Sequence, residues 1–92
     1  MIGDAGTATM LPMPAFLLSH RHEPHECAAA FAAWQGHDSP LRHGCVASTC
    51  LAGGHHLWWR VDAVDVPGAL ALLPRFVAKR TTAIEIRDVR VP

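Results

Sequence analysis

The chain has 92 residues, half of them apolar, with eight basic side chains balancing eight acidic ones; this suffices for one compact domain with a real core and leaves no room for a second. The basic residues are scattered and Lys79 is the single lysine, which argues against DNA or RNA as a partner, since no phosphate-neutralising surface can form. Three cysteines, Cys27, Cys45 and Cys50, are an odd set without a disulfide framework, and predict reduced thiols in a cytoplasmic protein.

The first 18 residues, MIGDAGTATMLPMPAFLL, lack a basic leader, and Pro12 and Pro14 break their apolar run. They read as neither signal peptide nor membrane span, and no membrane partner is expected. Residues 1 to 13 are expected to be a flexible tail, and residues 14 to 92 a single domain. AFLLSHRH, from Ala15 to His22, predicts a strand with apolar residues opening both faces, hence a central one. EPHECAAAFAAWQG then switches to helical period, with Pro24 suited to the first helical position, Glu26 to the positive helix start and Gly36 to the stop. Cys27, Ala30, Phe31 and Trp34 recur at helical spacing and predict one buried stripe.

HDSPLRHG is a loop by composition. CVASTCLA and HHLWWRVDAV predict two strands joined at Gly53-Gly54 as a tight hairpin. DVPGALALLPRFVAKR carries Val66, Leu70, Leu73 and Val77 at helical spacing behind Asp65 as N-cap, and Pro74 should end or kink that helix. TTAIEIRDVRV predicts a closing strand with Ile84 and Ile86 on one face, Glu85 and Arg87 on the other.

The order is βαββαβ, an α+β ferredoxin-like arrangement with two helices on one face of a four-stranded antiparallel sheet. The other face, expected to carry Phe16, Leu18, Trp58 and Leu51 or Cys50, is too apolar for water. Two such sheets packed face to face would give a homodimer with an enclosed cavity. At this level the chain resembles the small dimeric α+β-barrel proteins, a superfamily that includes muconolactone isomerases, YCII-like proteins and antibiotic-biosynthesis-type monooxygenases. HHLWWRVDAVDVPGALALLPRF with the last strand, about residues 55 to 91, looks like the isomerases' aromatic strand, helix, Leu-Pro-x-Phe corner and terminal strand. The resemblance implies the fold and the homodimer; it transfers no catalytic residue, and the histidine cluster is not a feature it explains.

Seven histidines are present, and His20, His22 and His25 crowd together with Cys27. His20 and His22, two apart on a strand, project to one face, where two ligands of a metal or two acid-base groups would need to be. Cys27 is expected to point into the helix-sheet core, away from that pair. CVASTCLAGGHH has gaps too short for a zinc finger. His55 and His56 flank the hairpin turn and are expected at an exposed dimer rim. Trp59 shares its side with Leu57 and Val61 and is the core member of its pair. Trp58 shares its side with Arg60 and should line the inter-sheet cavity, where Glu85 and Arg87 would add a charge clamp for a small aromatic or carboxylated ligand.

Two functional readings follow, beside a purely structural one in which the dimer interface is filled and dry. One is a homodimer binding a small ligand or a divalent transition metal (Ni, Cu or Zn) through His20 and His22. The other is a cofactor-independent isomerase, lyase or oxygenase acting on a small aromatic-derived metabolite, with His20 or His22 as proton shuttle and Arg60 or Arg87 holding a carboxylate or enolate.

Overall fold

The computed structural model describes residues 13–92; apart from Met13, the expected tail lies outside them. Strand β1, Ala15–Arg21, alternates so that Phe16, Leu18 and His20 are buried while Ala15, Leu17 and Ser19 are half-buried. It is central, as its two apolar faces predict: β3, His56–Asp62, pairs on one side and β4, Thr81–Ile86, on the other, both antiparallel. A short β2, Ala47–Ser48, adds to β3, so the order across the sheet is β2-β3-β1-β4. The chain is thus a small α+β domain on an open, four-stranded antiparallel sheet. No helix among the described residues is long and apolar enough to cross a membrane.

Local chemistry sets the helices. Pro24–Glu26 forms a 3-10 turn that runs into α1, Cys27–Ala32, and the Glu23 N–H, left without a helical acceptor, donates to Glu26 Oε1 at 2.9 Å. Gly36, at φ 75°, takes the left-handed turn that ends the segment, a conformation costly for a side chain with a Cβ. The expected stripe is only partly buried: Ala30 is in the core and Cys27 and Trp34 are half-buried, but Phe31 is 59% exposed. Asp65 caps α2, Val66–Leu70, by accepting from the Gly68 N–H at 2.8 Å. Pro74, which has no N–H to donate, divides that helix from α3, Arg75–Ala78. Ala69, Leu73 and Val77 form the buried line along this pair, whereas Val66 is 40% exposed.

The predicted hairpin is looser than its sequence suggests. Only Ala47 and Ser48 pair with β3; Ser48 Oγ accepts from the Cys50 N–H at 2.9 Å, a local bond that competes with the ladder. The chain then leaves the sheet in a 3-10 turn, Cys50–Ala52, closed by Gly53 at φ 85°.

The register corrects the assignment of faces. Leu18 lies between Trp59 and Ala83, and Phe16 opposite Val61, so Phe16 and Leu18 belong to the helix-side core with Leu57, Trp59, Val61, Leu73 and Val77. Leu17, Arg60 and Ile84 lie in line on the other face, which Trp58 shares by alternation along β3. Leu51 is fully exposed in its turn, and Cys50 is at the core's edge. Because both faces of β1 are apolar, alternation alone does not say which side the helices take; pairing with the Trp59 side of β3 decides it.

Candidate metal centre

Parity along β1 carries His20 and His22 into the core side of the sheet, where they are 1% and 2% exposed. The sheet continues one step past β1, since the His22 N–H donates to His55 O at 3.2 Å and the Arg21 N–H to Arg80 O at 3.1 Å. This extension sets His22 beside His55, with ring centroids 5.4 Å apart. The turn through Glu23 and Pro24 returns the chain at once, so Cys27, the first residue of α1, comes back over His22. Arg80 pins that helix start: its Nη2 and Nε donate to Glu26 Oε2 at 2.7 and 3.0 Å, while its guanidinium lies 3.7 Å above the Phe76 ring.

The result is a directed chain of hydrogen bonds. Thr81 Oγ1–H donates to Val77 O at 2.7 Å, so toward His20 both the Val77 carbonyl and the Thr81 oxygen are acceptors. They lie 3.2 and 3.1 Å from His20 Nδ1, which must therefore carry the proton. His20 Nε2 is then a lone pair, and it accepts from His22 Nδ1–H at 2.9 Å. His22 in turn presents its Nε2 lone pair to Cys27 Sγ at 3.3 Å, and His55 Nδ1 is 3.1 Å from the same sulfur. Burial holds His20 below the usual histidine range, opposed by the Val77 hydrogen bond; burial and then the charge of His55 lower His22. Both imidazoles are thus kept neutral, the form that ligates metals. Glu26 is lowered to about 2 by its hydrogen bond from Arg80.

His22, Cys27 and His55 offer three ligand atoms that all lie within 4.8 Å of one another. Around a tetrahedral zinc ion with ordinary Zn–S and Zn–N bonds, sulfur and nitrogen ligands sit about 3.5 Å apart; the two N···S distances, 3.3 and 3.1 Å, lie close to that edge. Three mixed N/S donors leave a fourth position open. His20, expected to ligate beside His22, is not one of the three: both its nitrogens are hydrogen-bonded, and it stands behind His22 where an outer partner of a ligand would stand.

Some expected site residues do not meet here. Trp58 is on the opposite face, stacked on His56 at 5.2 Å between ring centroids. Arg60 pairs with Asp88 at 3.1 Å in solvent, Glu85 lies opposite Phe16 and is exposed, and Arg87 is exposed beyond the end of β4. The expected cavity combining His20 and His22 with Trp58, Arg60, Glu85 and Arg87 is therefore not assembled within the chain, because the sheet itself separates the histidines from Trp58 and Arg60. Cys27 turns toward His22, not away from it, and His55 is a member of the cluster and half-buried. The Pro24 turn was legible in the sequence, but not that it would bring Cys27 over His22. The approach of His55 had no local signal, since it depends on how β1 pairs with β3.

Set against known proteins, the chain matches no family model, no curated protein and no solved structure.

Proposed function

We propose that this chain binds one divalent transition-metal ion through His22 Nε2, Cys27 Sγ and His55 Nδ1, with His20 as the outer partner of His22. The observation that carries the reading is the convergence of three different donors from β1's end, α1's start and the turn before β3, backed by an imidazole whose hydrogen bonds fix the lone pair of His22. A thiolate with two imidazoles favours Zn or Cu over hard oxygen-seeking ions, and Ni is compatible. Binding displaces the thiol proton, so affinity rises with pH. Titration of the chelator-stripped protein with Co2+ and Zn2+ should show one ion per chain and a cobalt–thiolate charge-transfer band. Cys27→Ser should abolish the band and His55→Ala should weaken binding. A wild-type protein without the band, or a Cys27→Ser protein that binds as tightly, would overturn the reading.

A second reading has its own observation. The Cys27 thiol touches an imidazole that is itself oriented by a third group, the nucleophile, base and orienter arrangement of thiol catalysis. It differs from metal binding in one respect: iodoacetamide would alkylate Cys27 of the metal-free protein faster than Cys45 or Cys50, and Zn2+ would not protect it.

The finer architecture belongs to the same proposal. The strand order and the βαββαβ sequence support a ferredoxin-like fold of the dimeric α+β-barrel kind, with the Leu17, Trp58 and Ile84 face buried against a second copy. The three cysteines, all unpaired, fit a reducing, cytoplasmic setting.

A further inference from the structure

A second feature lies on the helix side of the sheet. An open cleft of about 270 Å³ runs between the end of α1, the 37–46 loop and β3. Its floor and walls are aromatic and aliphatic: Phe31, Trp34, Leu57 and Trp59, with the two indoles 6.0 Å apart. These same four residues wall a void of about 10 Å³ that reaches His20 and His22, so the cleft ends one layer of side chains from the histidines. Phe31, predicted to be buried, stands 59% exposed at this rim, an apolar wall left open to solvent.

The one formal charge among the polar groups at the mouth is that of Arg42. Gln35, Arg42 and His43 line it and no Asp or Glu does. Arg42 is half-buried and forms no ion pair with a carboxylate of the described residues, whereas Arg60 and Arg80 are each paired. A tight turn presents it: the Arg42 N–H donates to Ser39 O at 3.1 Å and the Gly44 N–H to Leu41 O at 3.3 Å, with His43 between them in the left-handed region at φ 70°. Histidine is among the few side chains that enter that region readily.

The geometry points to a second, metal-independent binding site, for a small aromatic carboxylate: one ring against Trp34, Trp59 and Phe31, and the carboxylate on the Arg42 guanidinium. The volume, just under the usual range for ligand pockets of about 300–1,000 Å³, is ample for a one-ring ligand. A neutral arene would leave Arg42 without its anion, and a small carboxylate without a ring would leave the aromatic walls wet.

Benzoate is the probe, titrated with a chelator present into Trp58→Phe protein, so that Trp34 and Trp59 alone report by fluorescence. Saturable quenching is expected, with benzyl alcohol and acetate each at least about tenfold weaker. Arg42→Gln should weaken benzoate by about tenfold or more and leave benzyl alcohol unchanged. Cys27→Ser, which removes the metal site, should leave benzoate affinity as it is. Absence of saturation at millimolar benzoate, equal affinity for benzoate and benzyl alcohol, or undiminished benzoate binding by Arg42→Gln would each overturn the proposal.

Discussion

His20 shows how much one buried side chain can decide. It supplies no proposed ligand atom, yet its two nitrogens face acceptors on one side and His22 on the other, which fixes the nitrogen that His22 offers to the thiol. His20→Leu keeps an apolar volume in the core but leaves the His22 Nδ1–H without its acceptor. Metal affinity should then fall by about ten- to hundredfold, read by competition with a chromophoric chelator; unchanged affinity would deny His20 this role. The same burial makes stability depend on pH. For a histidine lowered by folding from 6.5, the unfolded chain takes up the proton first as pH falls. The contribution is therefore intact above about 6.5 and is lost on acidification toward the folded-state value. Glu26 is also lowered, from 4.5 to about 2; its contribution is present above 4.5 and lost as pH falls toward 2. Thermal melts of the metal-free protein should show both declines, and Glu26→Gln, less stable than wild type at neutral pH, should converge with it at the acid end. A constant gap between the two proteins would show that the Glu26–Arg80 pair does not titrate as described.

At the scale of elements, what was legible in the sequence was what is decided locally. Pro24, Asp65 and Pro74 mark helix boundaries because a missing N–H or a capping oxygen acts within one turn, and all three do so in the structure. Asp65→Ala should therefore cost about 1 kcal/mol, a drop of about 4–8 °C in Tm for a domain of this size; an unchanged melt would mean that α2 is held by packing alone. What was not legible depends on pairing between distant segments. β2 shrank to two residues because Ser48 bonds to the following turn. The helix-bearing face of β1 was misassigned because Leu17 and Leu18 are equally apolar, and only the register with Trp59 separates them. The site was readable only in part: His20 and His22 share one face because they lie two apart on one strand, but the sequence sent Cys27 away from them, and both its return over His22 and the approach of His55 through a cross-strand hydrogen bond depend on tertiary placement.

At the scale of the whole molecule, a chain of this size has one core, and here that core lies entirely on the helix side of the sheet. The opposite face carries Leu17, Trp58 and Ile84, the last 59% exposed, around Arg60 and its solvent pair with Asp88. Apolar residues on three strands of an open sheet, interrupted by one charged pair, are the kind of surface that meets another protein. On the proposed homodimer, a two-fold axis would bring this strip against its own copy. Sedimentation should therefore give a particle of about twice the 10.0 kDa chain, and Ile84→Asp, which puts a charge in the strip without touching the core, should reduce it to one. The proposed metal centre lies on the other side of the sheet. The Ile84→Asp monomer should thus keep its cobalt–thiolate band, and loss of the band together with the dimer would mean that the partner copy completes the site. A wild-type protein sedimenting as a stable single chain would remove the face-to-face dimer while leaving the metal centre to be judged by its own titration.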